Sequence, residues 1–271
     1  MKRFLDAPKA RRWMVGFAVL GAAFSVLLPS WTMPAKSPRA AIGEKLKIPV
    51  GTVLPVSLEH ALSSKDQGKD EAIEGRIMQD VPLPNGDTIP AGSKVRGSIT
   101  DIASASQGMA SITFRFISIQ TRDTTIPIYV GLRAMAPYLD VQRAKTPYQE
   151  SAGSPGGWAT TLQIGGDVRF GDGGKVTNGR HRVVGKATRN DGVLARLEDF
   201  PGSPCEGWPD VTHGPQAVWV FSVSACGIFD MKGVRIARAG NKAPIGDITL
   251  TKDEGDIKIM ESSALLLRVV K

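Results

Sequence analysis

Ser111-Ile-Thr-Phe-Arg-Phe-Ile-Ser-Ile119 is the stretch on which the fold turns. Ile112, Phe114 and Phe116 share one face while Thr113 and Arg115 share the other, the period of two that belongs to a half-buried strand. The phase then shifts at Ile117 and Ile119, as one extra residue in a strand would make it do. Just downstream, Thr125–Val130 alternates again through Ile126, Ile128 and Val130.

The same pattern continues outward in both directions. Upstream lie Lys94–Ile102, Ala72–Val81 and Ile48–Leu58, separated by turn chemistry at Asn85-Gly86-Asp87, Pro90-Ala91-Gly92 and Gln107-Gly108. Pro49 and Pro55 suit Ile48–Leu58 to an edge strand or a strand start, and Leu58–Ser64 reads as one short helix. Residues 137–157 break the alternation with Pro, Gly and Ser. A second series follows: 159–170, 182–188, 192–200, 217–228, 234–239, 245–251 and 257–270. Within it Ala217–Phe221 is continuously apolar and predicts a segment buried on both faces. Short strands at this spacing predict an all-β chain with two tandem β-sandwich or β-barrel-like domains, 48–136 and 158–271, joined by a linker at 137–157.

The opening of the chain has a different character. Its first twelve residues carry five basic side chains against Asp6, which is +4 of the total net charge of +8. Trp13–Leu28 then runs without a charge to Pro29, a basic stub followed by an apolar helix-length stretch. Residues 1–34 are therefore read as a signal peptide or an uncleaved membrane anchor, with 35–47 as a polar linker. The positive-inside rule puts the remainder across the inner membrane, so the expected location is periplasmic, or secreted if the leader is cut. With half of the excess charge in the leader, no basic, aromatic-interleaved face is left for nucleic acid.

Gly51-Thr-Val-Leu-Pro-Val-Ser-Leu58, Ala61-Leu-Ser-Ser64, Ile89-Pro-Ala-Gly-Ser93 and Val95-Arg-Gly97 follow one another within 48–102. This progression resembles the periplasmic β-barrel scaffold family of type IV secretion and conjugation channels. The resemblance implies a membrane-tethered barrel that works as a structural component of an envelope complex. It covers about a fifth of the chain, and that family's long proline-rich linker and pore-lining helical hairpin have no counterpart here. Residues 158–271 match nothing in that family; they resemble bacterial envelope proteins that offer no function to transfer.

Cys205 and Cys226 are the only cysteines, and in an exported chain they read as one disulfide. A metal pair would want histidines at ligand spacing, and only His213 lies between them. The expected interaction surface is the edge strand, through Val53 and Val56, together with the loops around Trp208 and His213. An unpaired edge accepts another chain's strand by main-chain hydrogen bonding. His60, His181 and His213 share no ligand spacing, and neither a nucleophile elbow nor a zincin motif occurs. Ser203 or Ser222 with His213 and Asp210 could form a hydrolytic triad. Asp253, Glu254 and Asp256 could hold Ca²⁺, but read better as a solvated hairpin turn. No catalytic, metal or cofactor site is assigned. The expectation is a non-enzymatic envelope protein that binds or scaffolds, with a secreted hydrolase or carbohydrate-active second domain as the alternative.

Overall fold

The computed structural model describes residues 47–145, 159–170, 174–188, 192–199, 201–208 and 214–271. The leader and the His213 and Asp210 positions lie outside them. Its strands in chain order are β1 (Val53–Leu58), β2 (Leu62–Ser63), β3 (Ala72–Ile77), β4 (Val81–Pro82), β5 (Thr88–Ile89), β6 (Lys94–Ala103), β7 (Ala110–Gln120), β8 (Thr125–Pro127) and β9 (Val130–Ala136). The helix α1 (Tyr138–Lys145) follows. Then come β10 (Ala159–Gln163), β11 (Gly166–Phe170), β12 (Lys175–Asn178), β13 (Val183–Ala187), β14 (Val193–Ala195), β15 (Gln216–Ala217), β16 (Gly227–Ile228), β17 (Val234–Ala239), β18 (Ile248–Lys252), β19 (Lys258–Ile259) and β20 (Ala264–Val269).

The chain is all-β, as the alternation predicts, but its halves are not tandem. Ten strands form one nearly closed, barrel-like sheet in the order β16-β9-β20-β1-β3-β6-β7-β18-β17, with β8 beside β7. β20 enters between β1 and β9, and β18 pairs with β7, so late strands complete the early sheet. The boundary at 137–157 is thus the start of an insert. Residues 159–217 build a separate meander, β10 to β15, before the chain returns to the barrel. All described residues belong to one compact unit.

β1 is central, not an edge. It pairs antiparallel with β20 and with β3, and Val53 and Val56 have no exposed surface. Pro55 is tolerated because the β1–β3 ladder begins one step later, at Val56↔Ile77, so no β3 residue is paired with it. Leu58–Ser64 is not a helix: the chain leaves β1, turns, and pairs β2 with β19. The irregular stretch after Pro137 is where the helix lies instead.

The phase slip in the opening stretch is a bulge. Gly97 faces Phe116 and Arg96 faces Ser118, which leaves Ile117 as the extra residue of β7, half exposed. Phe114 and Phe116 point into the barrel, ring centroids 5.8 Å apart and nearly perpendicular. They join Leu54, Val56, Val95, Ile112, Leu250 and Leu265 in the main core.

β9 and β20 are buried along their whole lengths, and the insert is the cause. One face of each fills the barrel; the other packs with Val141, Trp219 and Phe221 in a second cluster between barrel wall and insert. The Gln79 amide fastens the two layers: Oε1 accepts from the Val193 and Trp219 N–H groups, and Nε2 donates to the Val193 carbonyl. Ala217–Phe221 is buried, as predicted, yet only Ala217 is in a strand. Trp219 takes a positive φ of 47°, and Phe221 N–H closes a turn onto the Val218 carbonyl.

The two ends of the nearly closed sheet approach each other where β9 faces β17. A Cβ on Gly131 would stand 2.6 Å from the Ala239 carbonyl oxygen and 2.7 Å from the Trp208 ring, so only glycine fits there. Cys205 and Cys226 are bridged, as predicted. The bridge ties the loop carrying Trp208 to the residue before β16, which lies parallel to β9.

Candidate functional site

Two aspartates far apart in sequence meet beside α1. The helix starts after Pro137, whose carbonyl accepts from the Asp140 and Val141 N–H groups. Val141 and Ala144 are buried under the insert, which turns Asp140 and Arg143 towards a cleft of about 240 Å³. The opposite wall comes from the other end of the insert. Phe229 N–H donates to the Met135 carbonyl, and the next residue, Asp230, bends the chain with a φ of 45°. Gln163, Ile164, Gly165 and Gly166, from the β10–β11 turn, make the remaining wall. Gly165 has a positive φ, and its position abuts the Phe229 ring.

Asp140 and Asp230 line the same cleft. Burial, then the hydrogen bond and like charge of Asp230, push the Asp140 carboxyl above its ordinary pKa; Arg143 pulls the other way. Arg143 holds Asp140 Oδ1 only loosely, at 3.4 Å, and its side chain is mostly exposed. Asp140 Oδ2 is buried with no donor. Gln163 is 4% exposed; its Nε2 donates to the Trp219 carbonyl, while its Oε1 has no donor. A carboxyl pair of this kind can share a proton or hold a cation.

Two other concavities are built differently. One of about 480 Å³ lies at the outer end of β1 and β3, with His60 among mixed charges. There Glu59 and Glu74 alternate with Arg76, Lys94 and Arg96 in a ladder of ion pairs across the sheet. The other, about 430 Å³, follows the β9–β17 seam under the Pro204–Glu206 loop. Arg133, wholly buried beside it, pairs with Asp199 Oδ1 at 2.6 Å and donates to the Glu198 carbonyl.

Those residues singled out from sequence that are described do not form an exposed surface. Val53 and Val56 are inside the sheet, and Trp208 is 5% exposed, covering the barrel seam instead of presenting a face. His213 and Asp210 lie outside the described residues. Ser222 is buried and shares a hydrogen bond with Ser224. The acidic turn is structural: Asp253 pairs with Arg235, and Asp256 Oδ1 accepts from Ala105 N–H and Ser64 Oγ. Among the described residues no group of three or more His, Cys, Asp or Glu side chains could hold a metal. Asp140 had a sequence signal that was missed, since proline followed by an acid in the next turn marks a helix start. Asp230 and Gln163 had none. Compared with protein-family models, curated proteins and solved structures, the chain matches none.

Proposed function

We propose that this chain is a non-enzymatic envelope protein that binds or scaffolds, displayed on the far side of the inner membrane, as a component of a secretion or surface-assembly complex. The observation that carries the reading is the Cys205–Cys226 bridge, which ties the insert loop to the barrel wall. Bridges of this structural kind persist in oxidising compartments and are rare in the cytosol of mesophiles. The basic stub and apolar stretch at the start of the sequence supply a route there. The barrel supports the scaffold reading, since its core is filled by side chains and its β3–β6 face carries a ladder of alternating charges suited to a protein partner. In crosslinked membranes the protein is expected to co-purify with secretion or outer-membrane components. Recovery of the protein alone would overturn the reading.

The Asp140–Asp230 pair gives the hydrolase alternative its one specific support. A fluorogenic peptide and glycan panel assayed from acid to neutral pH tests that alternative, and turnover abolished by Asp230→Asn would establish it.

A further inference from the structure

We infer that the end of the barrel at which Lys47 enters is a docking surface for an anionic lipid bilayer, which it meets through Ile117, Tyr129 and Ile245. This deepens the envelope reading and rests on its membrane tether.

Three large apolar side chains from separate parts of the sequence come out to solvent at that end. Ile117, the extra residue of β7, is 54% exposed, Tyr129 48% and Ile245 42%. Short contacts hold them together. The Ile117 carbonyl accepts from Ile128 N–H, one residue before Tyr129. A Cβ at Gly246, one residue after Ile245, would touch the Tyr129 ring at 3.6 Å. Ile245 stands at the tip of a tight loop, closed by Gly246 N–H donating to the Gly240 carbonyl, with Lys242, Ala243 and Pro244 exposed beside it. Apolar groups gathered in this way mark a contact surface, where the same groups scattered would not.

The charges around the patch fit lipid headgroups. Lys271 Nζ lies 5.4 Å from the centroid of the Tyr129 ring, and Lys47 and Lys242 are exposed. The acid behind the patch, Asp247, is already paired with Arg115 at 2.6 Å. In the neighbouring β7–β8 turn Asp123 directly follows Arg122. Tyrosine and lysine around a few aliphatic side chains suit the headgroup level of a bilayer, the ammonium groups among phosphates and the rings just beneath. A second copy fits less well, because a two-fold contact would set these lysines against one another.

The chain arrives at this same end. Gly51 N–H donates to the Val269 carbonyl, and the next residue, Val270, donates to the Tyr129 carbonyl. Residues 35–46, at about 3.5 Å each when extended, reach about 40 Å at most. A bilayer that holds the apolar stretch before them is never farther than that along the chain. The tether makes the contact intramolecular, so a patch too small to recruit the protein from solution suffices to dock the barrel.

The test labels the full chain with an environment-sensitive fluorophore at Ile245→Cys or, as comparator, at Met109→Cys. Met109 is 53% exposed but lies at the opposite end, since its neighbour Ala110 pairs with Lys252 at the far end of β18. Cys205 and Cys226 are bridged, so the introduced thiol takes the label. The chains are reconstituted into phosphatidylcholine–phosphatidylglycerol vesicles with or without headgroup-nitroxide lipid. Flotation reports the tether, and nitroxide quenching reports the docked patch. The probe at 245 is expected to shift to the blue and be quenched, while the probe at 109 stays in water. Adding Ile117→Asn and Tyr129→Asn should remove most of the quenching with flotation and thermal melt retained. Replacing phosphatidylglycerol with phosphatidylcholine should reduce it without any further substitution. A floating chain whose probe at 245 is unquenched, or quenched no more than that at 109, overturns this proposal alone. So does quenching indifferent to lipid charge or to the paired substitutions, or a blue shift without quenching, which would put a second copy on the patch. A chain that does not float overturns the tether and this proposal together.

Discussion

Gly97 stands opposite the bulge in β7, and a Cβ there would lie 2.0 Å from the Arg115 carbonyl oxygen. Neither backbone can move without breaking the ladder, so Gly97→Ala is expected to lower stability by about 1–3 kcal/mol, read by urea unfolding. Two carboxyls should set opposite pH responses. Hydrogen bonds from Ala105 and Ser64 hold Asp256 below its ordinary pKa, outweighing some desolvation. Its stabilisation is complete above the unfolded value and is lost as pH falls through the folded one. Asp140 is raised, so its contribution is complete below the unfolded value and is lost as pH rises through the folded one. Thermal melts between about pH 3 and pH 7 should show Asp256→Asn losing less stability in acid than the parent. Asp230→Asn should lose less than the parent as pH rises, because its Asp140 partner ionises without a like charge beside it.

Elements were legible where their pattern is local. The bulge could be seen in SITFRFISI because the slip of phase is written in consecutive residues. The position of β1 could not, since what covers it is β20, supplied by the far end of the chain. Proline content argued for an edge, and a β3 ladder that starts one residue after Pro55 was enough to defeat that argument. The candidate cleft was least legible of all, because its aspartates lie on a helix hidden in an irregular stretch and on a turn after β16. The insert also explains Arg133, which looks misplaced in an otherwise apolar strand. The guanidinium lies under the insert and is balanced by Asp199. Asp199→Ala leaves that charge without its carboxylate and should cost about 3 kcal/mol, whereas Arg133→Met should cost much less, as removing both charge and need for a partner does. Parallel urea titrations of the two variants decide it.

For the whole molecule, the corrected boundary makes a strong prediction. A fragment spanning residues 48–136 would leave β1 and β9 without β20, and β7 without β18. It should be unfolded or aggregated by circular dichroism, where a tandem-domain chain would have given a folded module. A cooperative melt from that fragment would refute the interleaved sheet. The two core clusters share β1, β9 and β20 as a common wall, so barrel and insert should melt together in the intact chain.

The pairing of β1 with β20 also fixes an order of events in time. The ribosome makes β1 early and its neighbour β20 last of the described strands, so the sheet cannot finish until β20 has emerged. Until then the nascent chain carries unpaired strand edges and exposed apolar side chains, the state that chaperones recognise. Assembly of the barrel therefore falls to whichever compartment receives β20.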